Sequence, residues 1–393
     1  MKDKNNNKGI KTSIGGQALL EGIMMRGPKR TAMAVRDPGG EIVIEEWDNV
    51  SPKRPAFTKW PVVRGIFNFV DSMKTGMKCL TRSAELSGLE ELEEEAAREK
   101  AEKKRKKAQK ENAESDSERK EASAEAQAEA PAAENIDEEA QKEEVQKEEP
   151  EKEEARKEEP AKPEKKGTGA TTAAVMSIGT VLGVALALVL FIWLPTFLGT
   201  LILGPNAASE HSAWLTVISG VIKVAILIAY MSLVSLMKDI RRVFMYHGAE
   251  HKTIFCYEHG HELTVENVRK ERRFHPRCGT SFLFLMVLVS VAIMIPIGIL
   301  YQNVLPASVL SNKFVYTLIR TATSLVFLPL IVGIGYELIK LAGKHDNFFT
   351  RIISAPGLWM QRITTKEPDD SMIECAIEAV KKVIPDDGSD QIK

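Results

Sequence analysis

Cysteine, histidine and aromatic side chains are scarce in this chain. Its 393 residues hold 4 Cys and 7 His, and Phe, Trp and Tyr together make up 6%. Cys79, Cys256, Cys278 and Cys375 are widely spaced, which argues against a disulfide framework and favours a reducing compartment. The opening Met1-Lys2-Asp3-Lys4 is polar and leads into no apolar h-region, so no cleavable secretion signal is expected. An excess of one charge is also missing. There are 53 Lys and Arg against 54 Asp and Glu, for a formal net charge of −1. Between 85 and 166 both signs are interleaved and aromatics are absent. That stretch is no basic arm, and no nucleic-acid partner is expected. It also cannot bury a core, so 85–170 reads as a charged, low-complexity insert. Its first part, near 90–115, has i,i+4 ion pairs suited to an exposed, coiled-coil-like helix, and its Pro-containing remainder reads as disordered.

Long apolar runs are what the second half has in plenty. A membrane-crossing helix needs roughly 20 apolar residues to cover about 30 Å of hydrocarbon. Four segments qualify, near 172–203, 214–237, 282–301 and 315–341. The loop 204–213 has no Lys or Arg, and the loop 302–314 has only Lys313. The loop between the second and third spans carries nine, among them Arg241, Arg242, Arg272 and Arg273. The positive-inside rule therefore predicts a multi-pass inner-membrane protein with both termini and this basic loop in the cytoplasm.

The remainder divides into an N-terminal part, 1–84, and a helical tail, 346–393. Thr31–Arg36 and Glu41–Trp47 flank Asp37-Pro38-Gly39-Gly40, a β-hairpin signal. The preceding Ile14–Pro28 is punctuated by Gly and has no evident regular element. Trp60, Val63, Ile66, Phe67, Val70, Met73, Met77 and Leu80 form one stripe of a basic amphipathic helix. It suits either the anionic inner membrane face or a cytoplasmic domain. In the tail, Pro356 reads as the first turn of a helix. Asp369 and Asp370 read as the cap of a last helix running to about Val383. The expected fold is mainly α: a domain of about four transmembrane helices over 171–345, with a small cytoplasmic α+β part.

Five of the seven His and two of the four Cys fall in the basic loop, 238–281. His247 and His251 are four apart, and Glu250 stands beside the second. This is the inverted H-x-x-E-H order, in which two imidazoles on one helix face bind Zn²⁺ and the carboxylate acts as base. A catalytic zinc takes three protein ligands and keeps one position open. The candidates for the third are His275, Cys278 and Glu337. The predicted topology sends all of them to one end of the bundle. Lys252 and Arg277 adjoin these positions and are further candidates. Glu337 could equally pair with Arg241, Arg277 or Lys340, and His275–Gly279 could be a rigid turn into the membrane. His259 and His261 suit a polar turn or a ligand pair.

Gly15-Gly16-Gln17-Ala18-Leu19-Leu20-Glu21-Gly22-Ile23-Met24-Met25-Arg26-Gly27-Pro28 resembles the opening of the bacterial YqhQ family. Tyr246–Lys252, His275–Phe282, Pro356–Gln361 and Thr364–Asp370 resemble it as well. The resemblance covers the chain outside the charged insert. It implies a predicted metal-dependent membrane enzyme with no established reaction, and an insert dispensable for the core. Glu21 and Arg26 in the first motif are candidates to reach the site. The leading expectation is a zinc-dependent, hydrolytic enzyme at the cytoplasmic membrane face, acting on a lipid or membrane-protein substrate. The alternative is a non-enzymatic accessory or scaffold in membrane-protein or envelope biogenesis.

Overall fold

The computed structural model describes residues 9–49, 54–88, 179, 181–204, 206–344 and 347–392. The helix and disorder expected between 90 and 166 lie outside the described residues. Four strands come first: β1 Gly15–Leu19, β2 Gly22–Arg26, β3 Arg30–Arg36 and β4 Ile42–Asp48. They form one antiparallel sheet in sequence order. The expected hairpin is β3–β4, with Thr31 opposite Trp47. The segment 14–28, which gave no regular pattern, supplies the other two strands. Glu21, at φ 49°, makes the tight turn between them.

Why β2 escaped the pattern is visible in the packing, while β1 opens on the exposed Gly15 and Gly16, which give no side chains to alternate. Ile23, Met25, Ala32 and Ala34 face one apolar cluster. Met24, Met33 and Val35 face another, with Cys79. A strand buried on both faces shows a continuous apolar run rather than alternation.

The helices follow. Helix α1, Val63–Leu86, covers the second face of the sheet through Cys79, Leu80 and Leu86. Four helices are long and apolar enough to cross a membrane: α2 Val181–Leu203, α3 Ser212–Val234, a third over Phe282–Val304 and a fourth over Lys313–Leu341. Between the second and third spans stand α4 Lys238–Glu258 and α5 Val265–Lys270. The third span belongs to α6 Thr280–Val304, and α7 Ala307–Ser311 leads to α8 Lys313–Lys344. The chain ends in α9 Phe348–Thr364 and α10 Asp370–Val383.

Pro356 lies inside α9 instead of opening it. The start is set upstream by a capping box between Asn347 and Thr350. Asp369 caps α10 as its sequence suggests, accepting from the Met372 N–H. The apolar stripe of α10, with Met372, Ile373, Ala376 and Val380, joins Tyr246, Ala249 and Ile254 of α4 over the first face of the sheet. One core thus ties the N-terminal strands, the loop between spans and the C-terminal helix. The bridge Thr12–Gln391 closes the same unit.

Candidate metal centre

Helix α4 carries the site. His247 and His251 lie one turn apart and share a face, with ring centres 4.4 Å apart. Each imidazole is held from behind by a carbonyl. His247 Nδ1 is 2.8 Å from the Thr364 oxygen at the end of α9, and His251 Nδ1 is 2.5 Å from the Arg273 oxygen. A carbonyl only accepts, so both Nδ1 atoms carry the proton and both Nε2 atoms present lone pairs. This is the orientation that histidine ligands need. The His251 Nε2 is buried and has no hydrogen-bond partner among the described residues. The His247 Nε2 lies 3.2 Å from Cys278 Sγ.

One ligand atom from each of His247, His251 and Cys278 lies within 4.8 Å of the others. Two ligands at 2.0–2.3 Å from a tetrahedral ion sit roughly 3.5 Å from each other. The trio therefore needs only small adjustments to close on one ion. His251 and Cys278 are buried, at 1% and 8% exposure. All four cysteines are buried and none is in a disulfide.

Glu250 is 6% exposed. Its Oε1 accepts from the Gly16 N–H at 3.0 Å. Burial pushes the carboxyl above its ordinary pKa, although the His247 imidazole and the Gly16 hydrogen bond pull the other way. A Cβ on Gly16 would come within 3.0 Å of the Glu250 carboxyl carbon. The glycine is what lets the backbone of β1 reach this side chain.

The other sequence candidates occupy different places. His275 is buried beside His251, ring centres 5.6 Å apart, but its nitrogens are turned elsewhere. Its Nδ1 accepts from the Arg277 N–H at 3.3 Å, and its Nε2 faces Glu258 at 3.5 Å. Arg277 pairs with the same Glu258. Lys252 is buried, donating to the Arg269 carbonyl at 3.0 Å and pairing with Glu367. Glu337 receives both arms of Arg64 and lies outside the ligand trio. Its partner is thus on α1 and is none of Arg241, Arg277 or Lys340. Glu21 pairs with Arg242 and lies 3.4 Å from the Tyr246 hydroxyl, which fastens β1–β2 to α4. Arg26 ends β2 and lines a polar cavity. His259 and His261 are exposed, and both aim Nδ1 at Glu271, 2.9 Å and 3.1 Å away.

Several contributors had no signal in the residue pattern. The carbonyls of Thr364 and Arg273 act through the backbone, which any residue type supplies. Gln361 clamps His275, accepting from its N–H at 2.8 Å and donating to its carbonyl at 2.9 Å. Glu258 gathers His275, Arg277 and the Thr12 N–H. Gly16 and Thr364 both lie in stretches that carry the family resemblance.

The chain is 27% identical over 380 residues to the uncharacterized protein YqhQ of Bacillus subtilis, covering 95% of this chain and 93% of that protein. No solved structure matches it. The model of the protein family of unknown function DUF1385 matches residues 60–386, and the chain belongs to that family.

Proposed function

We propose that this protein is a metal-dependent enzyme, most simply a hydrolase, working at the cytoplasmic face of the inner membrane. One observation carries the reading. His247 and His251 both have Nδ1 fixed on a carbonyl, the His247 Nε2 lies against Cys278, and one ligand atom of each of the three residues is within 4.8 Å of the others. Two imidazoles and a thiolate make a ligand set suited to Zn²⁺ that leaves a fourth position open. A divalent ion there supplies Lewis-acid polarisation of a substrate oxygen and acidifies water.

The residues around it fit hydrolysis. Glu250, buried next to His251, takes the proton as water oxygen bonds to a carbonyl or phosphoryl centre. It returns that proton to the leaving group as the old bond breaks. The Gly16 N–H holds the carboxylate in one orientation. The basic loop charges favour the cytoplasmic side for this site.

The test is metal content of the purified full-length protein. About one equivalent is expected, falling several-fold in His247→Ala/His251→Ala and in Cys278→Ser. Glu250→Gln should keep metal and fold while losing function in cells. Absence of metal after reconstitution with Zn²⁺ would overturn the reading and favour an accessory or scaffold role. Full function in Glu250→Gln would remove the base.

A further inference from the structure

Two cavities are lined in part by residues next to those of the candidate metal centre. The larger is about 830 Å³ and the smaller about 520 Å³. Both fall within the usual size of ligand sites, about 300–1,000 Å³. Ser13, Gly15 and Ser72 line both, so the two share a wall. The larger is apolar, with Phe69 of α1, Phe282 and Leu283 of α6 and Ile339 of α8. Phe282 and Leu283 open the third apolar span, and Ile339 lies near the end of the fourth. This chamber therefore sits where hydrocarbon gives way to headgroups. The smaller is polar, with Arg26, Gln17 and Thr75 in its wall.

The charges point one way. Arg277 and Lys340 line the apolar chamber and Arg26 the polar one, and neither lining includes an Asp or Glu. Arg26 forms no ion pair among the described residues. Close neighbours of the candidate centre stand in both linings. Arg277 and Gly279 flank Cys278, and Gly16, which holds Glu250, lines the polar chamber.

We infer that these adjoining cavities bind an anionic lipid, its tail between Phe69, Phe282 and Ile339 and its charged head near Arg26 and the Gly15–Gly16 backbone. Apolar walls supply the burial, and Arg26, which has no ion pair among the described residues, selects the negative head, while Arg277 is already paired with Glu258. The inference rests on the proposed metal centre only in making that lipid the substrate.

The experiment uses full-length protein, solubilised in detergent, delipidated, and titrated under native mass spectrometry. The probes are short-chain phosphatidylglycerol, phosphatidylcholine with the same chains, and sn-glycerol 3-phosphate. Phosphatidylglycerol should bind about tenfold tighter than phosphatidylcholine, and the tail-less phosphate should not bind measurably. Ser72→Trp, which places an indole across the shared wall, should weaken phosphatidylglycerol about tenfold. Arg26→Gln should erase most of the preference between the two lipids. Equal binding of both lipids by the unaltered protein, or unchanged binding in Ser72→Trp, overturns the proposal. Metal is quantified in the same samples. Selective lipid binding without metal keeps the lipid site and removes the hydrolase. Metal without lipid selectivity does the reverse.

Discussion

Gly248 makes the tightest approach around the imidazole pair. A Cβ there would lie 2.0 Å from the carbonyl oxygen of Lys366. The Lys366 N–H also donates to the Phe244 carbonyl, so the segment after α9 is laid flat on α4. Gly248→Ala must push this segment away and take the Thr364 carbonyl from His247. The expected cost is about 1–3 kcal/mol of stability, as for other overpacked sites. Metal affinity should drop about tenfold or more with the lost outer partner. Thermal unfolding and metal titration check both, and an unchanged Gly248→Ala protein would refute the account. A second prediction concerns pH. Burial drives the His275 imidazole down to about 4, against the pull of Glu258. In the unfolded chain the ring takes its proton near 6.5. Between those values the unfolded state binds the extra proton, so stability falls as pH falls from about 6.5 to 4. Burial alone would raise Glu258, but His275, Arg277 and the Thr12 N–H outweigh it and hold the carboxyl below its ordinary value. Its contribution is complete above about 4.5 and is lost as pH drops further. The melting temperature should decline along this acid limb, and His275→Gln should flatten the part above pH 4.

Helix α1 shows what an element can reveal that single residues cannot. It is anchored at its start, where Gly65 packs against Gly333 and Tyr336 of α8, and Arg64 pairs with Glu337. Its inner side closes the sheet. Yet Trp60, just before it, and Val70, Met73 and Met77 along it stay exposed. An apolar stripe on a helix fastened to the end of a membrane-spanning helix fits the headgroup boundary. Domain packing thus accounts for its inner side, and its exposed stripe is the side that membrane contact would use. In brominated-lipid bilayers, Trp60→Phe should remove a quenchable component of the tryptophan emission. Equal quenching with and without Trp60 would place α1 away from the bilayer. The spans, the last helix and the β3–β4 turn were legible because their apolar periods and caps are local. Strand β2 was not, since burial on both faces hides alternation, and neither was β1, which opens on two glycines with no side chain to alternate. The pairing of Arg64 with Glu337 was equally hidden, because nothing local joins residues 273 positions apart. Of the site, the order His247-x-x-Glu250-His251 was readable. The choice of Cys278 over His275 depends on which nitrogen faces inward, and only the fold sets that.

The whole molecule imposes a constraint on sidedness that no element carries alone. The N-terminal strands, α4 between the second and third spans, and the C-terminal α10 share one buried core. If the four apolar helices cross a bilayer, N- and C-terminal segments that meet that loop in one core lie with it on one side. Four crossings, an even number, satisfy this, and three or five would not. Which side it is depends on charge: the loop between the second and third spans holds the Lys and Arg, while 204–213 has none. Single cysteines introduced at exposed positions test both statements. The native thiols are buried and contribute little background. Ser209→Cys and Ser308→Cys, exposed in the two charge-poor connections between spans, should react with an impermeant maleimide in intact cells. Asp386→Cys, after α10, should react only once the membrane is opened. The reverse pattern would put the candidate metal centre outside and overturn the proposed cytoplasmic location, though not the shared side. Labelling of positions 308 and 386 from the same face would break the four-crossing topology itself. The core that unites the strands with α10 would then have to be explained without a membrane between the two loops and the site.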